Sequence, residues 1–227
     1  MRLPLAGSFR ALLRPASAFR EAPPTLGRAV RDMALIWVPL ALVNAGWTAW
    51  RALQAYGRLR AGEPPSWLAG WLGADPGDLV VAWRSLPPAP SFGRLAPWLL
   101  GLVPLGVLGT WLHHAVWDHT GLWLLGGLKQ RRGFRMSLLA EAEALRIAAV
   151  GTLLGLLGLL PYLGVVLALP LLLLDAYLWL FRGFALAARH GCESWRGLAA
   201  TVVHAALLGL CALGLLAWMG FMLRMAA

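Results

Sequence analysis

Residues 147–181 form a run of 35 with a single charge, Asp175. Drawn as one helix it would measure about 52 Å, well beyond the roughly 30 Å hydrocarbon core of a bilayer. A run so poor in charge does not suit the surface of a water-soluble globule, and its length demands a reversal of direction. Pro161-Tyr162-Leu163-Gly164 supplies the residues for one, because proline stops a helix and glycine takes turn conformations. The sequence therefore predicts two antiparallel spans, at about 137–160 and 162–181, joined by a tight hairpin around Pro161.

Three further runs are of the same kind. Residues 33–50 carry no charge, and Arg51 stands where its long side chain can snorkel to the interface. Residues 95–117 are uncharged, and 198–223 are uncharged apart from His204. The expected fold is thus all-α, a polytopic transmembrane bundle with spans at about 33–51, 95–117, 137–160, 162–181 and 198–223. A basic segment, 1–32, precedes the membrane domain, 33–227, whose longest loop is 52–94. Composition agrees: 59% of residues are apolar and 13% charged, against about 45–50% and 25% in soluble domains. That excludes a soluble globule and a disordered chain, and two cysteines exclude a disulfide scaffold.

The chain carries 20 Lys and Arg against 10 Asp and Glu, a net charge of +10. The basic residues cluster in short segments between apolar runs, so they read as topology signals rather than as a nucleic-acid surface. Segments 1–32, 118–146 and 182–197 hold six, five and three of them, and six lie elsewhere. The positive-inside rule then places the amino terminus in the cytoplasm and the carboxyl terminus outside. A four-span drawing, with 147–181 as one tilted helix, moves Arg182, Arg189 and Arg196 outside, against the bias. Tryptophans fall mainly at the drawn interfaces, where indole rings concentrate; Trp111 alone lies deep in a span. Nineteen arginines to one lysine suggest a GC-rich coding genome, hence a bacterial cytoplasmic (inner) membrane.

No signal-peptide core occurs in the basic segment. Residues 8–21 place Phe9, Leu12, Leu13, Ala16 and Phe19 at helical spacing among arginines. They predict an amphipathic helix on the membrane face, kinked at Pro15, with a solvated basic tail as the alternative. In the outer loop, Ser66 to Leu72 and Leu79 to Trp83 predict two short interfacial helices around a turn at Asp75-Pro76-Gly77-Asp78.

Helices in lipid associate through close backbone approach, for which small residues are the device. Gly151 and Gly155 form a GxxxG extended by Gly158; Gly101, Gly106 and Gly109 mark a second face, and Ala205 with Gly209 a third. These are the expected packing positions, within the bundle or at a dimer seam. Ionisable groups at membrane depth each need a reason. Asp175 and His204 lie at similar depth on consecutive antiparallel spans, which predicts a hydrogen bond between them. The sharper reading gathers His114, Asp118, His119, Glu141, Glu143, Asp175 and His204 into a cytoplasm-side pocket able to bind a divalent metal or relay protons; the plainer one makes them interfacial or structural. No other cofactor is suggested, and no catalytic motif occurs: there is no G-x-S-x-G elbow and no P-loop.

Leu124-Leu125-Gly126-Gly127, a basic linker and Phe134, the hairpin around Pro161, and His190-Gly191-Cys192-Glu193-Ser194-Trp195-Arg196-Gly197-Leu198 leading into the last helix together resemble the Ypt-interacting protein (Yip) domain family of five-helix membrane proteins. Leu12-Leu13-Arg14-Pro15-Ala16-Ser17-Ala18-Phe19 is similar to the opening of its bacterial members. The eukaryotic members' signature motifs do not occur, so GTPase binding is not carried over, and the family supplies no catalytic residues. The resemblance implies a non-enzymatic accessory or scaffold acting through lipids, other membrane proteins or a membrane complex. The alternative from the residues is a small permease or ion- or proton-handling protein using the polar cluster.

Overall fold

The computed structural model describes residues 8–19, 22–63, 75–128, 133–160 and 162–226, and no strand occurs among them. In chain order the elements are α1 (Ser8–Leu13), α2 (Pro15–Ala18), α3 (Leu26–Ala61), α4 (Pro76–Arg84), α5 (Phe92–Leu124), α6 (Phe134–Gly155), a 3-10 turn (Leu156–Leu159), α7 (Leu163–Val166), α8 (Ala168–His190) and α9 (Ser194–Ala226). Pro161, the basic linker 129–132 and the predicted helix at Ser66 to Leu72 lie outside the described residues.

Four helices are long and apolar enough to cross a bilayer: Leu26–Ala61, Phe92–Leu124, Ala168–His190 and Ser194–Met219. They overlap the expected spans at 33–51, 95–117, 162–181 and 198–223; the third begins only at Ala168, after the separate helix α7, and the helices extend past charges that end an apolar run, because a helix continues while its charges have partners. Thus α8 passes Phe181 to reach His190, and Arg182 and Arg189, read as loop charges, are buried helical residues. The expected span at 137–160 falls on α6 and the 3-10 turn. With Arg135, Glu141, Glu143 and Arg146 along it, α6 is not among the four.

The chain packs as two units, one made up to Trp37 and from Val107 onward, the other Val38–Gly106. In the smaller unit the Tyr56 hydroxyl donates to the Pro87 carbonyl (2.7 Å) and the Arg60 Nε to that of Leu86 (3.0 Å). The expected turn at Asp75 is a helix start: its carboxylate accepts from the Gly77 N–H (2.7 Å) and caps α4.

In the larger unit α6 is the centre. Alanines at 140, 142, 144, 148 and 149 with Gly151 bury it on several faces, since small side chains let neighbouring backbones approach from more than one side. One face meets α3 through Ala29 and Met33. Another meets α8 through Phe181, Ala185 and Leu186, in a cluster completed by Leu122 of α5 and Ala200 of α9. The pairs Gly151–Leu178 and Glu143–Arg189 show that α6 and α8 run antiparallel. Three indoles join neighbours by donating to backbone carbonyls: Trp37 to Leu145 (2.5 Å), Trp111 to Leu138 (2.9 Å) and Trp179 to Thr201 (2.9 Å).

The amino-terminal segment breaks at Arg14, before Pro15, and part of its apolar face is covered by protein. Phe19 is buried against Phe181 (ring centroids 5.5 Å), Leu12 packs on the same cluster, and the Tyr177 hydroxyl donates to the Leu12 carbonyl. Leu13 remains exposed.

Candidate functional site

Two close backbone approaches set the geometry. A Cβ on Gly197 of α9 would overlap the Gly183 carbonyl of α8, and one on Gly121 of α5 would stand 2.8 Å from the Ala200 carbonyl oxygen of α9. Glycine is therefore required at Gly183, Gly197 and Gly121 for α5, α8 and α9 to touch. The side chains one residue or one turn away, Arg182, Asp118 and His204, are consequently driven together.

Asp118 is fully buried, as are Glu141 and His204, and Arg182 is 2% exposed. The Asp118 Oδ1 lies 2.6 Å from the His204 Nδ1, and its Oδ2 3.3 Å from the Arg182 Nη2. A carboxylate accepts, so the His204 Nδ1 carries the hydrogen and donates to it. The Arg182 Nη2, 3.4 Å from the same nitrogen, is then a neighbour, not its donor. The second His204 nitrogen, Nε2, faces the His113 Nε2 at 3.3 Å. On the other side the Arg182 Nη1 is 3.9 Å from the Glu141 Oε2, and the His114 Nδ1 4.0 Å from that oxygen. The Arg182 guanidinium lies 4.0 Å over the Trp179 ring, a cation–π contact that holds it in place.

Two smaller polar groups sit nearby on α6. The Ser137 hydroxyl lies 2.8 Å from the His119 Nδ1 and 2.9 Å from the His190 Nε2; it donates to one and accepts from the other. The Glu143 carboxylate takes a two-pronged bond from Arg189, Nε to Oε2 at 2.6 Å and Nη2 to Oε1 at 2.8 Å, the fork geometry that makes Arg–carboxylate pairs strong.

The seven predicted residues are thus distributed. His114, Asp118, Glu141 and His204 come together; His119 joins Ser137, Glu143 joins Arg189, and Asp175 is exposed on α8. The expected Asp175–His204 hydrogen bond is not made. Equal depth is not enough, because the Gly183–Gly197 contact rotates α9 so that His204 faces α5 and Asp118. No group of three or more His, Cys, Asp or Glu side chains among the described residues is placed to hold a metal ion. The guanidinium of Arg182 stands between the two carboxylates, where a cation would have to sit. Sequence reasoning missed Arg182, His113, Ser137, Arg189 and His190. Arg182 had a signal, its position seven residues after Asp175 within an uninterrupted helical pattern.

The packing glycines divide as well. Gly151 lies against Leu178, whereas a Cβ on Gly101, Gly106, Gly109, Gly155 or Gly209 meets nothing within 4 Å. Ala205 is exposed, and Gly158 falls in the 3-10 turn.

Fold and site together are those of an all-helical bundle with four helices suited to a bilayer and an ion-paired interior between α5, α6, α8 and α9. No family model, no curated protein and no solved structure matches the chain.

Proposed function

We propose that this chain is a five-span membrane protein with its amino terminus in the cytoplasm and its carboxyl terminus outside, working as a non-enzymatic scaffold of the Yip type in a bacterial inner membrane. The observation that carries the reading is where the charges point. Asp118 meets Arg182 and Glu143 meets Arg189 inside the bundle, while Leu210, Leu213, Leu216 and Phe221 of α9 are exposed. These polar groups join helices and leave the outer part of α9 apolar for lipid and for other membrane proteins, with Asp175, exposed on α8, as the exception. The same pairing supports α6 as the fifth span, since Glu141 and Glu143, which lower its hydropathy, are turned on Arg182 and Arg189 rather than on lipid.

Two segments that carry the family resemblance also touch. The Arg196 Nη1 donates to the Leu125 carbonyl (2.6 Å) beside Gly126, which has a positive φ of 66°. Gly191, left-handed at φ 68°, ends α8 as a C-cap. The motif glycines are helix stops that bring the α5 and α9 termini together.

Chemical cross-linking in native membranes, followed by purification of the full chain, tests the scaffold reading. A partner recovered at a fixed ratio supports it; a chain recovered alone that moves ions across reconstituted vesicles overturns it. Labelling a cysteine placed after Arg224 from the cell exterior tests the orientation.

A further inference from the structure

The contacts around His204 form a line with one half-buried end. His113 of α5 is partly exposed, whereas His204, Asp118, Glu141 and Arg182 behind it are buried. With the His204 Nδ1–H committed to Asp118, its Nε2 is the acceptor when the ring is neutral, and the His113 Nε2–H is the donor that faces it. Imidazole to imidazole to carboxylate is an arrangement that passes a proton without moving a helix.

Charge balance gives the line a purpose. Two carboxylates, Asp118 and Glu141, share the one guanidinium of Arg182. Around them stand His113 and His114 from α5 and His204 from α9, with no second Arg or Lys within ion-pair distance of either carboxylate among the described residues. One arginine balances one carboxylate, and a buried uncompensated charge is costly. A proton is the small cation that can balance the other, and both oxygens of Glu141 lack a hydrogen-bond partner among the described residues.

We propose that His113, His204 and the Asp118–Glu141 pair form a proton-binding relay within the bundle. A proton arrives on the His113 Nδ1; the His113 Nε2–H passes to the His204 Nε2, and the His204 Nδ1–H passes to the Asp118 Oδ1. One proton enters and one is bound, His113 and His204 end neutral with their tautomers exchanged, and Arg182 turns its charge from Asp118 to Glu141. The reverse sequence releases the proton. The plain ion-pair core has no use for His113; the relay needs it as the way in.

Nitrogen NMR of the full chain in detergent micelles, with 15N-labelled histidine, tests this over about pH 5 to 8, the range in which imidazoles titrate. In the wild type, His204 changes tautomer as His113 takes up its proton. In H113Q, which leaves every buried pair intact, proton exchange at His204 slows by about tenfold or more, within the range that positioned proton transfer contributes. Unchanged exchange at His204 in H113Q overturns the proposal. E141Q supplies a second reading by infrared spectroscopy: loss of a protonated-carboxyl band supports the shared proton, and a band unchanged by both E141Q and D118N overturns it. If D118N fails to fold, the H113Q result decides alone.

Discussion

Helix α9 is two different objects along its length. From Ser194 to His204 it buries Gly197, Ala200, Thr201 and His204 against α5 and α8, but beyond His204 no described residue is fully buried. Both stretches are apolar and helical, and both contain small residues at helical spacing. The difference is that Gly197 has a backbone in front of it and Gly209 has none. Small residues permit close approach; a polar pair such as Asp118 with His204, anchored on the neighbouring helix, gives the approach a reason. The packed stretch is held by contacts whose removal is costly, and the open stretch by its length and hydrophobicity.

The sharpest way to break this contrast is to remove Arg182. Arg182→Met leaves Asp118 buried without its cation and is expected to cost about 3–5 kcal/mol, seen as a lower unfolding midpoint of the detergent-solubilised protein. Combining it with Asp118→Leu should recover part of the loss, because the nearer of the two carboxylates then disappears with its cation while Glu141 stays. Next in size, Gly197→Leu forces α8 and α9 apart and should cost about 2 kcal/mol or more. Gly209→Leu, tested in the same assay, should stay within about 0.5 kcal/mol. Equal effects at the two glycines would remove the distinction between the stretches.

Trp111→Phe keeps the ring but loses the bond to the Leu138 carbonyl, an expected cost of about 1 kcal/mol by the same measurement. A chemical probe reports on the turn beside the packed stretch. Burial, with a smaller contribution from Glu193, pushes the Cys192 thiol above its ordinary pKa. Less thiolate is then present near neutral pH, so alkylation by a water-soluble reagent should be slower than for a free cysteine and should rise only at more alkaline pH. The smallest effect is expected at Asp175, exposed on α8: Asp175→Asn should leave both the unfolding midpoint and the His204 nitrogen signals unchanged.

Much of the fold can be read in the chain itself, because a charge-free run at membrane length leaves helix as the solution. The runs at 33–51, 95–117 and 198–223, and the run at 162–181 from Ala168 onward, lie on helices suited to a bilayer. Helix ends are harder to read, since Arg182 looks like the end of a span until Asp118 is known to face it. The site was legible in four of its members, and neither Arg182 nor the pairing was. His114, Asp118, Glu141 and His204 stand out as ionisable groups in apolar surroundings, yet depth along an axis says nothing about rotation around it. Rotation is set by Gly183, Gly197 and Gly121, and spacing alone does not tell those glycines from Gly101 or Gly209. Ser137 between His119 and His190 escaped notice because serine at the start of a helix is common and carries no charge.

The amino-terminal helices illustrate a problem of timing. Leu12 is held by Tyr177, 165 positions further along the chain, and Phe19 rests on Phe181. On the ribosome residues 8–19 emerge well before the surface they dock on is translated. They must wait undocked until α8 arrives, and their settling marks that moment.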